Sequence, residues 1–158
     1  MRHKGLFITG TGTGIGKTVT ASAITHLLVK EGYDVGVMKP VQTGAKKKDG
    51  VLFSPDLDIM RKMARSEDPD WISMPYSFKH ALSPYHAAKK AKLPIDTSVI
   101  VSMFEKLKKT HELVIAEGAG GLMAPLTENE LWPDLVRLIS IPIVIVTTPE
   151  LGMIHDTL

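Results

Sequence analysis

Short apolar runs alternate with amphipathic stretches along most of the chain. Four runs are typical of buried strands, and they lie at 6–8, 35–38, 113–116 and 141–146. Three amphipathic stretches have apolar residues at helical spacing, and they lie at 19–31, 96–109 and 131–139. A strand, a helix and a second strand in this order predict a right-handed crossover between parallel strands. The pattern therefore predicts an α/β fold with a mostly parallel sheet and helices on both of its faces.

The remaining segments give more local signals. The run at 141–148 is apolar at almost every position, which predicts a central strand that is buried on both faces. Segment 45–53 is rich in lysine, has no apolar partner and predicts an exposed loop. Ser54 predicts the N-cap of a further helix. Segment 67–93 is punctuated by prolines, and it predicts irregular structure with a short strand at 76–78 and the start of a helix at 83–88.

The first apolar run leads directly into a glycine-rich turn, GTGTGIGKT at 10–18, and a helical pattern follows. Strand, glycine loop and helix in this order are the context that a phosphate-binding loop requires. The backbone N–H groups of such a loop and of the helix N-terminus bind phosphate anions. Lys17 would place a positive charge at the β- and γ-phosphates, and the Thr18 hydroxyl would bind Mg²⁺. We therefore predict a P-loop NTPase-like fold, whose nucleotide-binding loop comprises Thr13, Gly14, Ile15, Gly16, Lys17, Thr18 and Val19.

Two further charged side chains stand where predicted strands end. Lys39 follows the strand at 35–38, and Glu117 ends the strand at 112–117, so both are expected on the same edge as the phosphate loop. A carboxylate at this edge suits Mg²⁺, and the small residues after it leave room for a ligand against the backbone. An ordinary surface lysine and an exposed glutamate before a glycine turn remain the alternatives.

Asp56 occupies the first turn of the helix that Ser54 begins. A carboxylate in this position stabilises a helix through its dipole. The same carboxylate, together with Thr18 and Glu117, would give a set of hard oxygen ligands for Mg²⁺. From the residues alone, both roles remain open for Asp56.

Composition narrows the classes of function. The 158 residues carry 19 basic and 17 acidic side chains, so the net charge of +2 gives no reason to expect a nucleic acid or an acidic membrane as partner. Cysteine is absent, which excludes disulfides and thiolate metal sites. No apolar run approaches the ~20 residues that span a bilayer. We therefore expect a cytoplasmic protein.

Five motifs together resemble the dethiobiotin synthetase family over essentially the whole chain. They are GTGTGIGKT at 10–18, KPVQTG at 39–44, SPD at 54–56, EGAGG at 117–121 and LGMIH at 151–155. The resemblance implies an ATP- and Mg²⁺-dependent ligase that acts on 7,8-diaminononanoate and CO₂ in biotin synthesis. One amine would take up CO₂ as a carbamate, whose oxygen attacks the γ-phosphate. The second amine would then close the ureido ring and release phosphate.

The resemblance also implies roles for particular residues. Lys17 and Lys39 would be catalytic, and Thr18, Asp56 and Glu117 would bind Mg²⁺. The nucleotide would contact the loop described above and a second group, namely Asp56, Glu117, Gly118, Ala119 and Gly120. The substrate would contact Thr43, Gly121, Met153, Ile154 and His155, the last three of them across the interface of a homodimer.

The chain departs from the family in two ways. Many relatives have Asp where this chain has Gly12 and Asn where it has His155. The relatives are also longer, so 1–158 is expected to be a single P-loop synthetase domain that lacks the family's C-terminal segment, which carries base recognition.

Three alternatives remain open. A cobyrinate-type amidase or synthetase domain has a similar loop but needs a glutaminase domain, for which the chain has no room. A partitioning-type ATPase switch usually has a second lysine near the start of the loop, where this chain has none. An inactive fragment that retains the nucleotide loop is the third.

Overall fold

The computed structural model describes residues 4–157, except for the side chains of residues 48 and 156. The strands are β1 (Gly5–Gly10), β2 (Val35–Met38), β3 (Val41–Thr43), β4 (Lys46–Lys48), β5 (Val51–Phe53), β6 (Tyr76–Phe78), β7 (Leu113–Glu117) and β8 (Ile143–Val146). The helices are α1 (Lys17–Lys30), α2 (Pro55–Ala64), α3 (Asp70–Ser73), α4 (Pro84–Ala91), α5 (Thr97–Thr110), α6 (Trp132–Ile139) and α7 (Met153–Thr157). Within residues 4–157, no helix has the length and apolar character that crossing a membrane requires.

The central sheet has four parallel strands in the order β2-β7-β1-β8. The predicted parallel α/β sheet is therefore confirmed, with β7 inserted between the first two strands of the chain. Met38 pairs with Ala116, and Ile8 pairs with Glu117. The register thus brings the ends of β2, β7 and β1 to the same edge, where the residue after Met38 lies beside Glu117.

Side chains alternate between two apolar cores, one on each face of the sheet. Phe7 and Val114 pack into the core that contains residues of α4, α5 and α6, including Phe104. Ile8 and Ile115 pack into the other core, which contains residues of α1 and α2. The prediction of helices on both faces is confirmed, because successive residues of a strand point to opposite sides.

The predicted position of the last strand was wrong. β8 lies at the edge of the sheet and pairs with β1 alone among the described strands. Ile143 and Ile145 are 36% and 40% exposed. A continuous apolar run is expected for a strand that is covered on both faces, but the run itself does not specify its neighbours.

The prediction of an exposed loop over 45–53 was also wrong. The segment forms an antiparallel hairpin of β4 and β5, in which Lys46 pairs with Phe53. Asp49 and Gly50 connect the strands with φ values of 51° and 86°. Two consecutive positive φ values are typical of the tight turns that join such strands, and Asp-Gly is a preferred sequence there. The predicted strand at 76–78 is confirmed as β6, which pairs in parallel with β3.

Candidate active site

The phosphate loop depends on glycine at two positions. Gly14 and Gly16 have φ values of 76° and 96°, and a Cβ atom at either would meet nothing within 4 Å. The requirement is therefore conformational, because these backbone angles disfavour other residues. Gly16 precedes the first turn of α1, which has no side-chain cap. The N–H groups of this turn are thus suited to an anion, as at other helix N-termini.

Lys17 folds back over the loop that precedes it. Its side chain is 6% exposed, and Nζ donates to the carbonyl oxygen of Gly12. Burial lowers the pKa of Lys17 below its usual value, and the charge of Lys39 lowers it further, against the opposing effects of Glu117 and Asp56. The loop thus holds a desolvated ammonium group that an incoming phosphate would neutralise.

Lys39 is the centre of a buried ionic cluster. Its Nζ lies 2.6 Å from Glu117 Oε1 and 3.0 Å from Asp56 Oδ2. Lys39 and Glu117 are 3% and 1% exposed. The alternatives of a surface lysine and an exposed glutamate are therefore wrong. The strand register explains the contact, because Lys39 and Glu117 continue the neighbouring strands β2 and β7.

Helix capping does not account for Asp56. Ser54 performs that role, since its hydroxyl accepts from the Leu57 backbone N–H at 3.0 Å. The same hydroxyl donates to Gln42 Oε1 at 2.5 Å and ties α2 to β3. The Asp56 carboxylate instead pairs with Lys39.

The three expected Mg²⁺ ligands lie together around Lys39. Thr18 Oγ1 donates to Glu117 Oε1 at 3.0 Å. Asp56 and Glu117 both pair with the Lys39 ammonium group, which thus connects the two carboxylates. Glu117 Oε2 is buried and has no hydrogen-bond partner among the described residues. Oxygen ligands with a spare buried carboxylate oxygen fit Mg²⁺. Residues 4–157 contain no group of three His, Cys, Asp or Glu side chains that could hold a metal. A Mg²⁺ site beside Asp56 and Glu117 would therefore also need the Thr18 hydroxyl as a ligand.

A cavity of about 670 Å³ lies over this cluster and the phosphate loop. It brings together most of the predicted site residues, namely Thr13, Gly14, Gly16, Lys17, Thr18, Val19, Lys39, Thr43, Asp56, Glu117, Gly118, Ala119 and Gly120. The phosphate loop, Lys39 and Thr43 therefore line one continuous space.

Five predicted residues do not line this cavity. The Ile15 side chain packs over Gly10, where its Cδ1 atom would lie 2.3 Å from an added Cβ. Gly121 packs against the backbone of the phosphate loop, and a Cβ there would lie 3.2 Å from the Thr11 carbonyl oxygen. The other three, Met153, Ile154 and His155, are exposed on α7.

The cavity has lining residues that the sequence did not single out. They are Gln42, Ala81, Leu82, Ser83 and Ala124. Gln42 lies within the KPVQTG motif, and this position is a signal that could have identified it as a site residue. Ala81, Leu82 and Ser83 precede α4, and the packing of that segment against the site brings them near. Ala124 follows the glycine-rich turn after β7, and its backbone N–H donates to the Gly121 carbonyl oxygen at 3.0 Å.

Trp132 positions the glycine-rich turn after β7. Its indole Nε1 donates to the Ala119 carbonyl oxygen at 2.9 Å, and its ring lies 5.4 Å from that of Phe7. A Cβ atom at Gly118 would lie 3.0 Å from the Phe7 ring, so the turn approaches the core closely at this point. The fully buried indole thus fixes one wall of the cavity from below.

Comparisons with known proteins agree with this geometry. A family model described as "AAA domain" matches residues 4–158. The ATP-dependent dethiobiotin synthetases of Thermodesulfovibrio yellowstonii and Nitrosopumilus maritimus are each 38% identical over 98% of this chain, which covers 67% and 68% of their lengths. The synthetase of a Geobacillus strain is 40% identical over 98% of this chain and 64% of its own length. The chain thus spans about two thirds of the length of these relatives.

Proposed function

This chain belongs to the dethiobiotin synthetase family, and we propose that it catalyses the ATP- and Mg²⁺-dependent carboxylation and ring closure of 7,8-diaminononanoate with CO₂. The products would be dethiobiotin, ADP and phosphate. A cytoplasmic location is part of the same proposal.

The position of Lys39 is the observation that carries the proposal. A nucleotidase needs positive charge at the phosphates, and Lys17 in the phosphate loop supplies it. Lys39 is a second buried lysine, which directly follows β2, and it lines the same cavity. A buried ammonium in this place suits an anionic acceptor beside the γ-phosphate, and a carbamate is such an anion.

The phosphate side of the cavity would bind and neutralise the nucleotide. Residues 13–19 would surround the phosphates with backbone N–H groups, and Lys17 would leave the Gly12 carbonyl for the γ-phosphate. Thr18, Asp56 and Glu117 would hold Mg²⁺, which neutralises charge on the phosphate oxygens when bound. Lys39 would then give up its contacts with Asp56 and Glu117.

The acceptor side would hold the diamine as a carbamate. Lys39 would bind the carbamate oxygens and keep one of them in line with the γ-phosphate. Thr43 lines the cavity at the end of β3, where its hydroxyl can bind an amine. The backbone of 118–121, held by Trp132, would contact the same end of the substrate.

The carboxylate tail of the substrate would be bound across a homodimer. Met153, Ile154 and His155 do not line the cavity of their own chain, and Ile154 is 69% exposed. Apolar side chains exposed on a short helix are available to a second copy of the chain. In this arrangement α7 of one subunit would approach the cavity of the other.

Product formation tests the proposed activity. The protein is incubated with ATP, Mg²⁺, ¹⁴C-bicarbonate and 7,8-diaminononanoate, and dethiobiotin is measured by mass and by acid-stable label. We expect equal amounts of ADP and dethiobiotin, with neither formed when the diamine is omitted. ATP hydrolysis that ignores the diamine would instead support the partitioning-type ATPase.

A further inference from the structure

Ser83 connects the cavity to a histidine at the protein surface. Ser83 is one of the residues that line the cavity, and its Oγ lies 2.7 Å from Nδ1 of His86. Ser83 precedes α4 as the N-cap residue, but its side chain makes no capping bond with the helix backbone. His86 is exposed on the first turn of α4. The pair therefore links the interior of the cavity to solvent through one hydroxyl and one imidazole.

The position of Ser83 is fixed from two sides. The backbone N–H of Tyr85 donates to the Pro125 carbonyl oxygen at 3.0 Å, which ties the first turn of α4 to the segment after the glycine-rich turn. The backbone N–H of Gly44 donates to the His80 carbonyl oxygen at 3.1 Å, which ties the loop before α4 to the residue after Thr43. Ser83 thus stands on the wall that we assign to the diamine.

The carboxylates of the cavity are already engaged. Asp56 and Glu117 are the acidic residues among the described lining residues, and Lys39 pairs with both. Glu117 also accepts from Thr18. In the proposed function both carboxylates serve Mg²⁺. A proton released beside Ser83 therefore finds no unengaged carboxylate among the described lining residues of the cavity.

We propose that Ser83 and His86 form a proton relay that accepts the proton released by the attacking amine during ring closure. The inference rests on the proposed function, because that reaction is what releases a proton at this wall. Ser83 would contact the amine, and His86 would act through Ser83.

The step balances in atoms and charge. The amine nitrogen attacks the carbonyl carbon of the carbamic–phosphoric anhydride and forms a C–N bond. The C–O bond to phosphate breaks, and phosphate leaves with the electron pair. The nitrogen passes its proton to Ser83 Oγ while the Ser83 proton moves to His86 Nδ1. The resulting imidazolium then releases a proton to solvent, and the serine hydroxyl is restored.

The hydrogen bond between Ser83 and His86 would have the same geometry if its role were only structural. Serine and histidine three residues apart at the start of a helix can bond to each other for structural reasons alone. The other titratable groups nearby are Tyr85, whose ring contacts the imidazole edge, and the lysines at 89 and 90 of α4. No carboxylate forms a salt bridge with His86 among the residues that the structure describes. The test must therefore separate proton transfer from a structural role.

The experiment compares Ser83→Ala, Ser83→Thr and His86→Gln with the unmodified protein and with His80→Gln as a matched histidine control. Dethiobiotin formation is measured as kcat and KM from about pH 6 to pH 9.5. At pH 7 we expect Ser83→Ala and His86→Gln to lower kcat by about 100-fold, the usual order for general acid–base catalysis, with the KM for ATP unchanged. Ser83→Thr keeps the hydroxyl and should retain most of the rate.

The pH profile identifies proton transfer. The defect of His86→Gln should shrink to less than about tenfold near pH 9.5, because the substrate amine and hydroxide then supply the function of the imidazole. A defect that is equal at every pH, or a rate within about twofold of normal for both variants, would overturn the relay. If Ser83→Ala does not fold, the exposed His86→Gln variant still decides the matter.

The two proposals fail in different ways. If the unmodified protein forms no dethiobiotin, the proposed function is wrong and the relay has no reaction to serve. If the unmodified protein forms dethiobiotin and the His86→Gln variant does so equally well across the pH range, only the relay is wrong.

Discussion

Lys39 pairs with two carboxylates in the structure and would change partners in the proposed reaction. It contacts Glu117 and Asp56, and all three side chains meet at the edge of the sheet. A buried lysine without a partner would be costly, so the two carboxylates stabilise it. In the proposed reaction the carboxylates would bind Mg²⁺, and the released ammonium would lie beside the proposed γ-phosphate position.

Replacing Lys39 should affect the acceptor more than the nucleotide. We expect Lys39→Ala to lower diamine- and CO₂-dependent turnover by at least ~100-fold, about 2.7 kcal/mol of transition-state stabilisation. Nucleotide affinity, measured by calorimetric titration with a non-hydrolysable ATP analogue and Mg²⁺, should change by no more than a few-fold. Lys39→Arg should not restore full activity, because a planar guanidinium group replaces the compact ammonium group of lysine. Near-normal dethiobiotin formation by Lys39→Ala would show that the assigned role is wrong.

Asp56 allows a separate test of the metal site. Ser54 caps α2 without help from Asp56, so Asp56→Asn should cost less than about 1 kcal/mol of unfolding free energy. The Mg²⁺ concentration for half-maximal activity should rise about tenfold or more, as for other lost metal contacts. Asp58→Asn is the matched control, because Asp58 lies in the same first turn but is exposed. Equal Mg²⁺ dependence in both variants would remove Asp56 from the metal set.

Residues within local motifs could be predicted from the sequence, and residues brought in by packing could not. Three site residues stand at or after the carboxyl ends of strands, namely Lys17, Lys39 and Glu117. These strand ends lie at one edge of any parallel sheet, so the fold alone places the three side chains close together. Ser83 and Trp132 reach the site through α4 and α6, whose placement depends on contacts distant in sequence. No spacing rule specifies such contacts.

At the scale of elements, the phosphate loop and the main strands were predictable because local patterns define them. The edge position of β8 and the hairpin of β4 and β5 were not. An apolar run indicates that a strand can be buried, but it does not specify which strands lie beside it. The rest of the sheet determines those neighbours. The Asp49-Gly50 pair is a usable local signal for the hairpin, but the lysine-rich segment around it has no apolar partner and predicts a loop.

His111 joins three elements at the edge opposite the site. Its Nδ1 lies 2.9 Å from Asp34 Oδ1, and its Nε2 lies 3.0 Å from Asp68 Oδ2. The nearby carboxylate of Glu112 accepts from the Asp34 backbone N–H. Burial lowers the pKa of His111, but the hydrogen bonds and charges of Asp34 and Asp68 outweigh burial, and the net shift is upward. Two acceptors require two N–H donors, so this arrangement favours the imidazolium.

This contact should make stability depend on pH. A pKa that is raised in the folded state gives stability that is fully present below the unfolded pKa near 6.5 and is lost as pH rises through the folded value. His111→Gln should therefore lower the urea unfolding free energy more at about pH 6 than at about pH 9. His26→Gln, at an exposed position of α1, is the control. A destabilisation that does not change with pH would refute the charged contact.

At the scale of the whole molecule, exposed apolar side chains lie on β8 and α7. Ile143 and Ile145 of the edge strand are 36% and 40% exposed, and Ile154 is 69% exposed. An edge strand with apolar side chains tends to pair with further protein. The exposed apolar side chains of α7 are the ones that the proposed homodimer would cover.

A charge on α7 should prevent that association. We expect Ile154→Asp to shift the sedimentation mass from dimer to monomer and to raise the KM for the diamine. Val51→Asp is a matched control, because Val51 is 65% exposed on the hairpin and has no assigned role. If Ile154→Asp remains dimeric with an unchanged KM, α7 is not part of the interface.

The central claim is that the γ-phosphoryl group passes to a carbamate oxygen, and isotope transfer tests it most directly. The protein is mixed with ATP, Mg²⁺, the diamine and ¹⁸O-labelled CO₂ in unlabelled water, and the phosphate product is analysed by mass before CO₂ exchanges with water. We expect one ¹⁸O atom from CO₂ in each phosphate formed, because the carbamate oxygen that attacks phosphorus leaves with it. Phosphate whose new oxygen comes only from water would show that the carbamate is not the acceptor and would identify the protein as an ATP hydrolase.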